Sequence, residues 1–384
     1  MSVKRPQITV VGSINMDLVV RCDRFARPGE TITASSSAEI SGGKGANQAV
    51  AAALAGSNVR MIGRVGDDAF ANTLLQNLKS HDIDCDGVAK TSDCPSGLAV
   101  VTVEASGQNA IMLVQGANGC VTPKDVAAHR IAIETADVVL LQLEIPLDAV
   151  LATIKIAREA GVRIILDPAP VPQVWSDELL SVDLVCPNET EAAAITGRPV
   201  ETIDDAKEAA QEMHRRGCEN VVITLGDRGS VLYTNNTFHQ FTATKITVVD
   251  TTAAGDAFAG ALAVRWAETD DLVEAMRFAS AAGAIAASRE GAQPSMGTRP
   301  MIEERLKIED LILLACEHFV AELVKSFGGA YVNRTKVLTT SATAKHTSSY
   351  RKNASPRLLR VLELPGALRP TAHDKTSFHF YCPC

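Results

Sequence analysis

The feature that most restricts the fold of this chain is a repeated exchange between two hydrophobic periods. Short, β-branched apolar runs at residues 8–11, 59–62, 138–141, 163–166, 183–185 and 221–225 are separated by longer stretches with helical spacing, at 46–54, 69–78, 147–159, 204–215, 256–266 and 271–287. A short apolar run without alternation is the pattern of a strand buried on both faces. Strand, helix, strand in repetition predicts a mostly parallel central sheet between two layers of helices, a Rossmann-like three-layer α/β sandwich.

Two segments depart from this rhythm. Residues 17–37 and 97–114 alternate apolar and polar side chains at period two, which predicts antiparallel strands, among them 98–103 and 109–114 joined by a turn at Ser106 and Gly107. Both belong to one small sheet projecting from the main one. After Gln293, Pro294 and Ser295 the alternation ends, and residues 301–327 carry apolar side chains at helical spacing. Residues 339–356 are rich in Ser, Thr, Lys and Ala without any period, which predicts disorder.

Charge narrows the function classes. The chain carries −8 overall, but residues 325–384 hold ten Lys and Arg against Glu363 and Asp374, so the basic tail conceals an acidic body. An acidic body argues against nucleic acid as a partner, because phosphate backbones are bound by clustered Lys and Arg. The nine cysteines are scattered, none in a C-x-x-C pair, and the first eleven residues lack a signal-peptide apolar core, so a cytoplasmic location is expected. No apolar run approaches the length of a membrane span, and no membrane partner is expected.

Two glycine-containing clusters precede helices. Gly42-Gly43-Lys44-Gly45-Ala46-Asn47 opens an alanine-rich helix; its glycines permit close backbone approach to a ligand. It is not a P-loop, because Ala38 and Gly45 stand where that motif needs Gly and Ser or Thr, and it does not match the dinucleotide fingerprint. Asp250-Thr251-Thr252-Ala253-Ala254-Gly255-Asp256 leads from a β-like run at 245–249 into a helix of small residues. Small side chains there leave the amides of a helix N-terminus unobstructed for an anion. Asp256 in the first turn reads in two ways: a charge favourable to the helix dipole, or a general base beside a transferring phosphoryl group. Thr224-Leu225-Gly226-Asp227-Arg228-Gly229, Pro187-Asn188-Glu189-Thr190-Glu191 and Gly12-Ser13-Ile14-Asn15-Met16-Asp17 all follow strands, where parallel sheets bind ligands.

Taken in order, these elements, with Gln142-Leu143-Glu144 and Gly291-Ala292-Gln293-Pro294-Ser295, closely resemble the ribokinase/PfkB family of carbohydrate kinases over residues 7–295. The Asp-Thr-x-x-Ala-Gly-Asp element is shared across that family, and Gly-Gly-Lys-Gly-Ala-Asn points to its ribokinase branch. The resemblance implies ATP-dependent phosphorylation of D-ribose at the 5-hydroxyl. It implies sugar contacts by Asn15, Asp17, Gly43, Lys44, Asn47 and Glu144, a catalytic base at Asp256, and an anion hole of the Ala253, Ala254 and Gly255 amides. Asn188, Thr224, Gly226, Arg228, Gly229, Gly255 and Ser280 would line the ATP site, and Glu191 would place Mg²⁺ through water. An activating K⁺ would lie at Asp250, Thr252, Ala286, Arg289, Gly291 and Ser295. The projecting sheet, with strands within about 15–38 and 97–115, corresponds to the family's lid, which pairs in a homodimer. Residues 1–307 would form the kinase domain and 308–384 an extension, an amphipathic helix and then a disordered basic tail, without family counterpart. Two departures leave the catalytic set intact: the Asn-Pro-Ala-Pro often seen in this branch is Asp167-Pro168-Ala169-Pro170 here, and Ser280 stands where some members place an adenine-contacting histidine. A second reading of the same residues is a sugar or nucleotide sensor that keeps the fold without turnover.

Overall fold

A computed structural model describes residues 5–105 and 108–311. The chain divides into two compact units, Met1–Glu304 and Arg305–Cys384, and only 305–311 of the second are described. Residues 299–311 are helical, so the helix expected from 301 is present as far as it is described. The rest of the expected helical stretch to 327, the basic tail and the turn at Ser106 and Gly107 lie outside the described residues.

Among the described residues the main sheet has nine strands. Its parallel part comprises β1 (Gln7–Val11), β4 (Asn58–Val65), β5 (Asp84–Lys90), β8 (Val138–Leu141), β9 (Arg163–Leu166), β10 (Leu184–Val185) and β11 (Asn220–Thr224), and β12 (Ser230–Thr234) and β13 (Thr237–Phe241) extend it antiparallel. The order is β13-β12-β11-β10-β9-β8-β1-β4-β5. Strand β1 pairs with β4 on one side and β8 on the other, so the direction of winding reverses there. Such a reversal opens a crevice at the strand ends. The helices are α1 (Lys44–Leu54), α2 (Ala69–Ser80), α3 (Pro123–Ala128), α4 (Arg130–Glu134), α5 (Leu147–Ala160), α6 (Glu189–Thr196), α7 (Ile203–Arg215), α8 (Ala254–Thr269) and α9 (Leu272–Ala287).

Why these residues form these layers is visible in burial. Every residue of β8 is buried, as the unbroken apolar run requires of a strand covered on both faces. Helix α1 buries a stripe of alanines, and Gly260 of α8 sits so close that an added Cβ would lie 2.6 Å from the Ala51 Cβ and 2.7 Å from the Gln48 carbonyl. Small residues on both helices let α8 approach α1, which brings the two glycine-containing clusters of the sequence to one place.

Among the described residues the lid is a separate sheet of four strands in the order β3-β2-β6-β7, built from β2 (Asn15–Cys22), β3 (Ser36–Gly42), β6 (Gly97–Glu104) and β7 (Asn109–Val114). Strands β2 and β6 are parallel, and the other two pairs are antiparallel. The strand expected to end near 38 continues to Gly42, because residues 39–42 keep pairing with Asn15–Leu18 and so carry the lid directly into α1. A second correction concerns 245–249, expected as β-like. It is irregular; Val248 and Val249 are 59% and 58% exposed, and the amides of Val249 and Asp250 go to the Ala287 carbonyl instead of a strand partner.

Candidate active site

The site forms where α1 and α8 meet below the lid. Helix α1 has no side-chain cap on its own N-cap residue, Gly43. Its first turn is instead completed by the exits of β1 and β8: the Ser13 carbonyl accepts from Ala46 N (2.9 Å), the Ser13 hydroxyl from Gly45 N (3.3 Å), and Glu144 Oε2 from Lys44 N (3.2 Å). The close approach these bonds demand explains the glycines. A Cβ on Gly45 would stand 2.6 Å from Ser13 N, and one on Gly43, whose φ is +89°, 2.7 Å from Asn15 N. The glycines were expected to admit a ligand; what they admit first is the neighbouring strand exit.

Lys44, Asn47 and Gln48 project from this anchored turn to the carboxylates. Asn47 Nδ2 donates to Asp256 Oδ2 (3.0 Å), and Gln48 Nε2 to Asp256 Oδ1 (3.1 Å) and Asp167 Oδ2 (2.8 Å). The Lys44 ammonium lies 3.1 Å from Asp167 and 3.9 Å from Asp256. Burial opposes the charge on Lys44, but Asp167, Asp256, Glu191 and Glu144 outweigh it and hold the ammonium above its ordinary range. Asp256 is buried, and its orientation is fixed by two amides that can only donate to it at these atoms.

Asp256 also belongs to the first turn of α8, whose N-cap, Ala253, adopts the left-handed conformation at φ +57°. A non-glycine residue there costs about 1 kcal/mol, strain of the kind found at functional sites. Of the three amides expected as an anion hole, that of Ala254 is turned to the Thr251 carbonyl at 3.2 Å. Those of Ala253 and Gly255 have no backbone acceptor among the described residues. Gly255 is exposed, and a Cβ placed on it would meet nothing within 4 Å, so the approach to this helix end is open.

On the lid side, Asn15 is buried and its Oδ1 accepts from Asn118 Nδ2 (2.6 Å), while Asn118 Oδ1 accepts from Ile14 N (2.9 Å). Asp17 is half-buried. No hydrogen bond to its carboxylate occurs among the described residues, and burial, with Glu144 and Asp256 nearby, pushes it up to about 7. Glu144 is likewise raised by burial, against the opposing pull of Ser13 and Lys44.

The residues expected around a nucleotide and cations lie in two further groups. Asn188 caps α6 in a reciprocal box with Glu191 and bridges to Thr224, so these strand exits adjoin. Both Glu191 oxygens accept from Asn188, at 2.8 and 2.9 Å. Arg228 is turned to Glu189 and the Glu201 carbonyl, and closes a 3₁₀ turn that begins at Gly226 and is followed by Gly229. Ser280 is half-buried on α9, three residues before Gly283, whose added Cβ would lie 3.3 Å from the Ala254 carbonyl. Asp250 gathers the second group: its carboxylate accepts from Thr252 N (2.9 Å) and Gly291 N (3.0 Å). Burial opposes its charge, but these bonds outweigh it and hold the carboxyl below its ordinary range. Arg289 N donates to the Ala286 carbonyl (3.1 Å), and the buried Ser295 hydroxyl to that of Ala292 (2.7 Å). Among the described residues no three His, Cys, Asp or Glu side chains form a metal-holding cluster, and no helix is long and apolar enough to cross a membrane.

Sequence reasoning missed Gln48, Asn118 and Gln293, whose Nε2 donates to Asn47 Oδ1 at 3.1 Å and whose Oε1 accepts from Asn77 at 2.6 Å. Gln48 left a signal, a second consecutive amide in a helix of Ala and Val; Asn118, in a 3₁₀ turn after the lid, left none.

A doubly wound sheet with a β-sheet lid above a buried carboxylate and an open helix N-terminus defines a kinase of the ribokinase-like α/β fold. More narrowly, the chain belongs to the pfkB family of carbohydrate kinases, whose sequence pattern it matches over residues 5–299. It is 40% identical to a ribokinase of Haemophilus influenzae over 296 residues, 77% of this chain and 96% of that protein. It is 41% identical over 298 residues, 77% of this chain, to a bifunctional ribokinase/ribose-5-phosphate isomerase A of Fructilactobacillus sanfranciscensis, and spans only 55% of that longer protein. The Arabidopsis thaliana ribokinase solved with ribose and ATP superposes with a TM-score of 0.74 at 36% identity, covering 79% of this chain and 99% of that one.

Proposed function

We propose that this chain transfers the γ-phosphoryl group of ATP to the 5-hydroxyl of D-ribose. The observation that carries this reading is Asp256: a buried carboxylate, oriented by Asn47 and Gln48, in the first turn of a helix whose entrance is open at Gly255. A base so placed removes the hydroxyl proton as the phosphoryl group is attacked, and amides at a helix N-terminus stabilise the charge that develops on it. The hole is drawn at Ala253 to Gly255, with Ala254 released from Thr251 as the anion arrives.

The sugar would lie between Asp17, Asn15, Glu144 and Lys44, with Gly43 lining its floor and Asn47 at the reacting end. A half-buried carboxyl with no hydrogen-bond partner among the described residues is left to pair with a sugar hydroxyl, and Asp17 is such a group. Sites with buried polar groups reject molecules lacking the matching hydroxyl, because the orphaned partner is costly to leave unpaired. Asn188, Thr224, Gly226, Arg228, Gly229 and Ser280 would line the ATP channel. Mg²⁺, held by phosphate oxygens and by water on Glu191, would neutralise the triphosphate; both Glu191 oxygens are engaged by Asn188, which suits contact through water. Four carboxylates surround one ammonium in the cleft, so a polyanion enters this site more readily with a cation. K⁺ would sit against Asp250, Thr252, Ala286, Arg289, Gly291 and Ser295, mostly through carbonyls, where the Asp250 carboxylate already ties the two loops together.

The same reading places the enzyme in the cytosol, with residues 1–307 as the kinase domain, 308–384 as its appendage and a homodimer formed through the lid. Ile111, Met112 and Val114 on β7 are 58%, 63% and 49% exposed, an apolar edge that a second lid would cover. An ADP-release assay with ribose, 2-deoxyribose, fructose and adenosine, in the presence of Mg²⁺ and K⁺, tests the function. Ribose should be turned over fastest. No turnover at millimolar ribose contradicts the reading, and calorimetric binding of ribose and ATP without product would make the chain a sensor.

A further inference from the structure

The Asp167 carboxylate has no part in the reaction just described, yet it is buried at the centre of the site. Of the three donors that α1 offers to Asp256, it shares Gln48 and Lys44, while Asn47 serves Asp256 alone. Gln48 Nε2 spans the two carboxylates at 2.8 and 3.1 Å, and the Lys44 ammonium stands nearer Asp167, at 3.1 Å, than Asp256, at 3.9 Å. Gln48 is itself held in place, since its Oε1 accepts from Gln142 Nε2 at 2.5 Å. The amide therefore cannot turn away from the carboxylates without breaking a third buried bond.

We propose that Asp167 is a positioning residue for the phosphoryl transfer: its carboxylate draws the Lys44 ammonium off Asp256 and leaves Asp256 able to take the sugar's proton. The inference rests on the reading of Asp256 as the base. A carboxylate in a tight ion pair is a weaker base than one held only by neutral amides. In this site two carboxylates compete for a single ammonium, and the geometry awards it to Asp167. An amide at 167 would still accept a hydrogen bond from Lys44, but with no charge to hold it against the pull of Asp256.

The groups facing Asp167 are Lys44 and Gln48 from α1, Asp256 from α8, Glu191 from α6, and the buried Cys186 thiol. Burial pushes Asp167 up to about 7, with Asp256 and Glu191 adding to that and Lys44 opposing it. The sign follows. Above that pH the charged Asp167 holds Lys44; as the pH falls through it, Asp167 takes a proton, Lys44 moves to Asp256 and turnover declines.

The test compares kcat, KM for ribose and the pH profile of kcat from 6 to 8 in the full-length wild type and Asp167→Asn. Wild-type turnover in the same assay checks the underlying function separately. Asp167→Asn should lower kcat at pH 8 by about fivefold, a modest share of what a positioned base contributes. KM for ribose should stay within about twofold, because a change confined to the transition state leaves ground-state binding alone. The rise of kcat through neutrality should flatten. In a Lys44→Met background the same substitution should change kcat less than about twofold, since the effect travels through the ammonium. An Asp167→Asn enzyme with the wild-type kcat and profile overturns the proposal. So does a loss that is as large in the Lys44→Met background, or one in which kcat and melting temperature fall while KM rises. If Asp167→Asn does not fold, Asp167→Ser is read in the same cycle by the same criteria.

Discussion

Asn47 Nδ2 donates to Asp256 Oδ2 across 3.0 Å and so joins two residues 209 positions apart in the chain. The bond ties the end of the first glycine cluster to the end of the second. Asn47 is in turn held by Gln293, and Gln293 by Asn77, so the orientation of the proposed base depends on two further residues that touch no reacting atom.

Asn118→Ala tests how the lid end of the site is held. Asn118 binds the Ile14 amide and the Asn15 side chain, all buried. Its loss leaves partners unpaired at a cost of roughly 1–3 kcal/mol. Steady-state kinetics should show KM for ribose raised about tenfold with kcat within about threefold, because Asn15 is released while Asp256 is not. An unchanged KM would mean that Asn15 does not contact the sugar.

Asp17→Asn separates binding from stability. The native carboxyl is pushed up to about 7, above its ordinary value, so the folded state holds a proton that the unfolded state has lost between about pH 4 and 7, and stability falls as pH rises through that window. The amide carries no such penalty. Chemical denaturation should show the variant more stable than wild type at pH 8 by on the order of 1–3 kcal/mol, with the difference vanishing near pH 4. Ribose affinity should drop at the same time. A variant less stable at pH 8 would contradict the burial that raises this group.

Gly255→Ala addresses the open end of α8. The added Cβ meets nothing within 4 Å, and a helical Gly replaced by Ala gains about 0.5–1 kcal/mol where the backbone allows it. The melting temperature should hold or rise slightly while kcat falls, since the methyl stands where the phosphoryl group would approach. Equal losses in stability and turnover would place the defect in packing instead.

The three-layer architecture was legible because parallel strands buried on both faces write themselves as unbroken apolar runs, as 138–141 does. The lid was legible from its period of two. Strands β12 and β13 were not read, since a hairpin following Gly229 looks like the tail of the preceding turn. The 245–249 run misled because valines mark strand preference even where no neighbouring strand exists to pair with them. At the site, the motifs located Lys44, Asn47 and Asp256 but not what they touch. Gln48 and Asp167 became functional candidates only when α1, β9 and α8 were brought together; a spacing of 119 residues between bonded side chains leaves no local pattern. Asp167 stood in the sequence only as a departure from a familiar tetrapeptide.

The most direct measurement is ribose-dependent ADP formation by Asp256→Asn beside the wild type, with calorimetry of ribose on both. A positioned base contributes about 10² to 10⁴, so kcat should fall at least a hundredfold while ribose binding persists. A variant that turns over ribose at the wild-type rate would contradict the role given to Asp256 and the mechanism built on it.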